Sequence, residues 1–382
     1  MGLCLFFIKK DELNPKPLLV ELSMEHNNAF KKFFEKEERY KHLPEWLRRD
    51  IEAIIPARLL EPTGSRKTWG VLDFSAMPYA LGDCLTWQVN LMCTALENKS
   101  DSIRIIVLLD PKNPSNYKLQ PHIQEGNYKI FFEKLKDSLF CIPMKHTVQY
   151  ESDRYLVFKA ALLSHQRPQL DLWPPLIHLA ADQVDYMSHY TIIRFYKKYG
   201  FIPLLGKPSA LPGKMALQLK KKKSTNKKIF IHLRNSINNN TAANIYRDSN
   251  PKKWVQILLH IITLTNGEVD FWYAGAQQEY FKEILAIKNV YPLRNKGLRL
   301  KDELFLMGKA DAFIGSMSGF AMGAVYSKTP YVITKLEEKF QKEMLGASDN
   351  HAKFPFAQNN QFLFWGHEDV VKIKNCINKI LS

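Results

Sequence analysis

The chain has 382 residues, enough for two domains of ordinary size, and its 46% hydrophobic and 24% charged residues are the proportions of a folded globular protein, not a disordered one. A formal charge of +16 draws it toward polyanions: nucleic acid, an anionic membrane surface or phosphorylated small molecules. Five cysteines, Cys4, Cys84, Cys93, Cys141 and Cys376, are odd in number and lack Cys-x-x-Cys spacing, which speaks against a disulfide framework or a zinc site and for a reducing, cytoplasmic compartment.

At the amino end MGLCLFFI is apolar but gives way to Lys9 and Lys10 after eight residues, too short for a membrane span or a signal segment. It reads as a buried first strand or an apolar tip, and no transmembrane segment is expected. Gly2 and Cys4 invite a lipidation reading, yet Phe6 stands where a myristoylation signal carries Ser or Thr. From Phe30 to Pro56 charged residues interleave with Phe33, Phe34, Tyr40, Leu43, Trp46, Leu47, Ile51 and Ile54, the pattern of amphipathic helices decorating the fold over 1–66.

After a turn at Pro62-Thr63-Gly64-Ser65 the first convincing strand runs from Trp69 to Phe74, and Leu81-Gly82-Asp83 leads into a helical pattern from Leu85 to Leu96. Ile103 to Leu109 is continuously apolar, as expected of a strand buried on both faces of a parallel sheet. A helix from Tyr128 to the neighbourhood of Leu139 precedes a short third strand at Phe140 to Ile142, which Pro143 closes. Leu172 to Tyr199 reads as one long helix after the Pro174-Pro175 start. Pro203, Gly206, Pro208, Pro212 and Gly213, followed by Lys220 to Lys223, then mark a linker.

The second half repeats the alternation. Strand Lys228 to Leu233, a helix from Lys252 to Thr265 capped by Asn250-Pro251, strand Val269 to Tyr273, helix Gln277 to Ile287, strand Val290-Tyr291 and helix Lys301 to Gly308 follow one another. Lys309 to Val325 adds a strand, a glycine turn and a helix start, and Tyr331 to Thr334 a further strand. The chain is therefore expected to be α/β, with two doubly wound, Rossmann-like domains facing a cleft. Their boundaries are 67–205 for the first, 206–227 for a basic Pro/Gly linker, 228–350 for the second and 351–382 for a C-terminal segment.

Ligands of open α/β sheets bind beyond the carboxyl ends of the strands. Three groups fall at such ends. Gly315, Ser316, Ser318 and Gly319 form a turn whose glycines and hydroxyls suit a phosphate, although the spacing of four among Gly315, Gly319 and Gly323 equally describes a small-residue packing face. His232-Leu233-Arg234 closes one strand and Tyr246-Arg247-Asp248 precedes a helix, so Arg234 and Arg247 are candidate phosphate forks, or else surface ion pairs. Asp83 reads as a helix cap or as a general base, with His232 the alternative base. No His/Glu or Asp-x-Asp cluster suggests a metal, no nucleophile elbow appears, and no aromatic run of the kind that stacks bases is present.

The pairing of IHLRNS and an arginine loop with ADAFIGSMSGFAMGAV resembles GT-B glycosyltransferases, in particular fucosyltransferase-like families with a His-x-Arg motif and a later F-I-G-[ST]-x-S-[GS] stretch. The resemblance covers Lys228 to Thr334. It implies that Arg234 holds the donor diphosphate, with Gly315, Ser316, Ser318 and Gly319 beside the same phosphates. Downstream of Arg234 the chain departs from the pattern: Asn235-Ser236 leads into an asparagine-rich insertion without the family's acidic residue. The Gly82-Asp83 helix start is similar to that of heptosyltransferase-type GT-B enzymes, in which the aspartate acts near the acceptor. Such folds return their final helix to the first domain, the place held here by Val370 to Leu381.

The implied activity is metal-independent transfer of a hexosyl or fucosyl group from a nucleotide-diphosphate sugar to a hydroxyl of a polysaccharide, lipid-linked glycan or protein. The nucleotide sugar is a co-substrate and no cofactor is expected. The cysteine usage and the positive charge lead to the expectation of a cytoplasmic protein, or one peripheral at the inner face of an anionic membrane, with nucleic acid not the expected partner. A polyanion-binding protein using the lysine-rich linker, or an inactive GT-B-like module, are the alternatives.

Overall fold

The computed structural model describes residues 66–74, 80–109, 128–139, 141–153, 156–157, 170–173, 190–208, 212–221, 225–236, 247–338 and 353–381. The expected N-terminal strand, the helices of Phe30 to Pro56, the turn at Pro62 and Tyr246 lie outside these. In chain order the elements are β1 Lys67–Asp73, α1 Leu81–Glu97, β2 Ser102–Leu108, α2 Tyr128–Leu135, β3 His146–Glu151, β4 Leu170–Trp173, α3 Tyr190–Tyr199 and α4 Lys214–Lys221. There follow β5 Lys227–His232, α5 Pro251–Leu264, β6 Val269–Tyr273, α6 Lys282–Leu285, β7 Val290–Pro292, α7 Leu300–Met307, β8 Ala312–Ser316, α8 Gly319–Val325, β9 Tyr331–Leu336, β10 Gln361–Trp365 and α9 Val370–Leu381.

The fold is α/β, with two sheets of parallel strands. Contacts divide the chain into two units, the first from Met1–Pro78, Thr94–Phe131 and Met144–Tyr186, the second from Tyr79–Cys93, Phe132–Pro143 and Met187–Ser382.

In the first unit the strand order is β3-β2-β1-β4. Every residue of β2 is buried, as its apolar run requires, and the exception in its composition is compensated. The Arg104 guanidinium lies 4.7 Å over the Trp69 ring of β1 and donates from Nη2 to Gln149 Oε1 of β3. A buried cation is thus covered by an aromatic face and an amide rather than left bare.

In the second unit the order is β10-β9-β8-β5-β6-β7. The chain winds outward from β5 through β6 to β7, returns, and winds outward again from β8, so β5 and β8 flank the point where winding reverses. Its core shows why these segments form. Trp254, Ile257, Leu258 and Ile261 line one face of α5, and Ile373, Ile377 and Leu381 one face of α9, both at helical spacing, against Ile229, Ile231, Phe271 and Ile314 of the strands. Each fully buried aliphatic of this kind contributes roughly 1.5–3 kcal/mol relative to exposure. Asn250 caps α5, accepting from Lys253 N at 3.3 Å with Pro251 in the first turn, as its sequence predicts.

The structure differs from the sequence expectation at six places. The third strand is His146–Glu151, not Phe140–Ile142, because the Cys141 backbone is taken elsewhere: its N–H by Gln88 Oε1 at 2.6 Å and its carbonyl by Gly206 N at 2.6 Å. The long helix from Leu172 is replaced at its start by β4, paired with β1 through Trp173, where the proline that follows favours extended backbone. Gln277 to Ile287 is broken, since the Tyr280 hydroxyl donates to Tyr273 O at 3.2 Å and Phe281 N to the Tyr273 hydroxyl at 3.3 Å, which turns both rings inward. The linker contains helix α4, tied to α7 by Gly213 N donating to Asp302 Oδ1 at 2.5 Å. β10 was not expected. Finally α9 belongs to the second unit's own core instead of returning to the first domain, with Lys227 Nζ bonded to Leu381 O at 2.6 Å.

Candidate functional site

Strand β5 ends at His232 and β8 at Ser316, with His232 opposite Gly315 in register. The strands approach so closely that a Cβ on Gly315 would fall 2.2 Å from the His232 carbonyl oxygen, so a side chain there would force them apart. Beyond the strand ends the Ser316 hydroxyl oxygen accepts the Arg234 N–H at 2.7 Å. The two sequence stretches singled out as candidates are therefore joined directly at the reversal point, where open α/β sheets present their ligand crevice.

The loops that follow are cross-tied. Arg234 O accepts from Ser249 N at 2.9 Å. Asp248 accepts from Ser236 N at 3.1 Å and from the Ser236 hydroxyl at 2.6 Å, and its Oδ1 lies 3.8 Å from Arg234 Nε. Arg247 reaches Glu337 at the end of β9, with 3.9 Å between Nε and Oε1. Burial and the neighbouring Arg234 lower the Arg247 pKa, while Glu337, Asp83 and Asp248 oppose that shift. Two guanidinium groups thus lie within electrostatic reach of each other, among carboxylates that hold them.

The helix start carrying Asp83 belongs to the same unit. A Cβ on Gly319 would fall 2.6 Å from Leu81 Cβ and 2.9 Å from Gly82 N, and one on Gly82 would fall 3.4 Å from Gly319 Cα. Paired glycines allow the first turns of α1 and α8 to touch. One Met307 methyl occupies the equivalent space at Gly323, 2.3 Å from a built Cβ, so the Gly315, Gly319, Gly323 spacing is that of a close-packed face. Asp83 Oδ2 accepts the Ala80 N–H at 2.9 Å, a bond from the third residue of the helix back to the residue before it. Burial raises the Asp83 pKa above the ordinary aspartate value, and that bond and the Arg247 charge only partly offset the rise.

His232 is buried and has its ring centroid 5.0 Å from that of Phe320. Burial, then the Arg234 charge, lowers its pKa to about 4, so the imidazole is neutral at physiological pH. Among the described residues its Nδ1 finds no hydrogen-bond partner, and neither does the buried Ser249 hydroxyl. These unpartnered polar atoms flank the Arg234 loop. Ser316 is fully buried and committed to Arg234, and Ser318 caps α8 by accepting Ala321 N–H at 3.3 Å.

Sequence reasoning passed over Glu279 and Glu337 and gave Asp248, although named beside Arg247, no role. Glu279 accepts Ala276 N–H at 3.1 Å, and its Oε2 lies 3.2 Å from the Cβ position of Gly275, whose other neighbour is His232. Burial raises its pKa, partly countered by Ala276, Arg234 and Arg294. With Asp248 and Glu337 it completes the ring of charge. The available signal was Gly275 after β6, a turn at a strand end followed by an acid. Among the described residues no three His, Cys, Asp or Glu side chains gather as metal ligands. Of the lysines assigned to the basic linker, Lys227 is part of β5, and Lys228, which follows it in the strand, is paired with Asp270.

The sequence matches no protein-family model and no curated protein. Among solved structures it is similar to the glycosyl transferase family 9 protein of Veillonella parvula DSM 2008, at 9% identity over 83% of this chain and 90% of that one, with a TM-score of 0.42. It is also similar to the E. coli ADP-heptose lps heptosyltransferase II, at 10% identity over 82% and 97% of the two chains and a TM-score of 0.42. A third similarity is to the Methanocaldococcus jannaschii UDP-GlcNAc 2-epimerase in complex with UDP-GlcNAc and UDP, at 12% identity over 83% and 93%, with a TM-score of 0.35.

Proposed function

We propose that the chain is a glycosyltransferase that moves a sugar from a nucleotide-diphosphate donor to a hydroxyl acceptor. The observation that carries this reading is the bond from Arg234 N to Ser316 Oγ at the reversal point of the second sheet. It joins the His-x-Arg stretch to the Gly-Ser turn, the two segments on which the resemblance to GT-B enzymes rests. In this reading the acceptor oxygen forms a bond to the anomeric carbon while the bond from that carbon to the diphosphate oxygen breaks. The bond's electron pair leaves with the diphosphate, which gains one negative charge on its terminal phosphate, and Arg234 and Arg247 neutralise that charge from fixed positions without reorganisation.

The acceptor's proton goes to Asp83. A carboxylate whose proton affinity is raised by burial is a better base than an exposed aspartate, and the Ala80 N–H bond and the Arg247 charge oppose that rise in part. His232, held neutral, serves better as a hydrogen-bonding wall of the donor pocket than as the base. Gly315 and Gly319 act by letting strand and helix ends approach, and Ser316 and Ser318 by fixing the loops, so the diphosphate is expected to meet backbone N–H groups and the two arginines. Whether the sugar is of hexosyl or fucosyl type follows from the donor. A thermal-shift panel of GDP-, UDP-, ADP-, CMP- and dTDP-sugars tests the reading: stabilisation by a nucleotide-diphosphate sugar supports it, and no shift with any of them refutes it.

A further inference from the structure

We propose that the carboxyl end of α3 and the turn after it form a docking surface for an anionic lipid membrane. The surface is independent of the donor site. Helix α3, Tyr190–Tyr199, ends at Gly200, whose φ of +75° is the left-handed cap that glycine adopts without strain, with Gly200 N donating to Tyr196 O at 2.7 Å. This reversal brings Phe201 back onto the helix. Its ring and that of Tyr199 both pack on buried Phe195, with centroids 5.4 Å and 4.6 Å away. Tyr199 remains 41% exposed and Phe201 52% exposed, so two large rings are held rigidly in solvent.

A monomeric surface seldom holds adjacent aromatic rings in water without a use for them. Their surroundings name the partner. Arg194, Lys197, Lys198 and Lys207 are all exposed, and Lys198 Nζ lies 5.0 Å over the Tyr199 ring. From Tyr190 to Pro208 there is no Asp or Glu. Aromatic rings flanked by long cationic stems suit the interface of an anionic bilayer: the rings enter the headgroup region while the lysine stems snorkel to the phosphates. The rings are packed edgewise or tilted on Phe195, which leaves less free face for stacking nucleic-acid bases than an open platform has.

The test is cosedimentation of the full-length chain with vesicles of phosphatidylglycerol and phosphatidylcholine, against vesicles of phosphatidylcholine alone. Binding is expected only to the anionic vesicles, and it should weaken as salt screens the cations. Lys197→Gln combined with Lys198→Gln should reduce partitioning about 30-fold, corresponding to about 1 kcal/mol for each cation near the surface. Phe201→Ser should also reduce it. Lys197 and Lys198 are exposed, so a small change in melting temperature is expected for the lysine double variant, whereas Phe201→Ser also loses the ring contact with Phe195 and should melt somewhat lower while remaining folded. Parent-like vesicle binding by both variants would overturn the proposal. So would a loss of oligonucleotide binding in the variants with vesicle binding intact, which would make the surface a nucleic-acid face.

Discussion

Arg234 donates its backbone N–H to the Ser316 side-chain oxygen at 2.7 Å, so the loop after β5 is fastened to the end of β8 at the one place in the second sheet where the winding direction reverses. Arg234 is thereby positioned by its main chain, and its side chain is left to act on charge. Asp248 at 3.8 Å and the neighbouring Arg247 set the field it works in.

The contact between α1 and α8 is a steric requirement, and Gly319→Ala tests it. The new methyl would fall 2.6 Å from Leu81 Cβ, so the helix start carrying Asp83 must move. Overpacking of this kind costs about 1–3 kcal/mol, and we expect a lower denaturation midpoint together with lower turnover. Adding Leu81→Gly removes the clashing carbon and should restore part of the stability lost to the clash. Additive losses in the double variant would contradict the contact.

For Asp83 we expect Asp83→Asn to keep the bond to Ala80 N–H, leave donor affinity in place and lower turnover on the order of 100-fold. Because burial raises the Asp83 pKa, the acid limb of the parent's pH–rate profile should lie above 3.8, and the variant should lose that limb. The stability sign is the opposite of a salt-bridged aspartate's. A raised folded pKa stabilises below the unfolded value and loses that contribution as pH rises, so the variant should be no less stable than the parent at neutral pH. A near-parental rate would leave Asp83 with only its helix-start bond.

Much of this was legible in the sequence. The apolar runs of β2, β5, β6, β8 and β9 and the capped α5 announce themselves because buried parallel strands have no polar alternation and Asn-Pro starts helices clearly. His232, Arg234, Ser316 and Asp83 were visible as chemistry at element ends. The partners of those residues were not, since Arg234 with Ser316 spans 82 positions and pairing across such distances is set by strand order. Strands β3 and β4 were missed for local reasons: β3 alternates weakly at a sheet edge, and β4 is four residues long before a proline. Glu279 escaped notice because its proximity to His232 exists only through the fold of Gly275.

His232 gives a second pH signature. Its folded pKa of about 4 lies below the ordinary 6.5, so the neutral imidazole contributes stability that is present above 6.5 and is lost as pH falls toward 4. The loss is on the order of 3 kcal/mol at most. Urea denaturation across that window should show His232→Asn losing less stability than the parent chain. Equal losses would mean that His232 is not buried neutral.

Arg234 and Arg247 provide the positive charge at the proposed diphosphate site, so turnover with the donor found by the thermal-shift panel should persist in a large excess of EDTA. Abolition by the chelator, with recovery on adding magnesium or manganese, would contradict neutralisation by the arginines alone.

The most direct measurement is calorimetric titration of that nucleotide-diphosphate donor into the parent chain, Arg234→Ala and Arg234→Lys. Removal of a charge-assisted contact to phosphate should weaken binding by about 1.5–3 kcal/mol, roughly 10- to 150-fold. Lysine should restore only part of it, because a single ammonium cannot reproduce the two-pronged fork. The Arg234 N–H bond to Ser316 is main-chain and survives both substitutions, so both variants should melt close to the parent. Unchanged donor affinity in a folded Arg234→Ala chain would contradict the assignment of this loop as the diphosphate site.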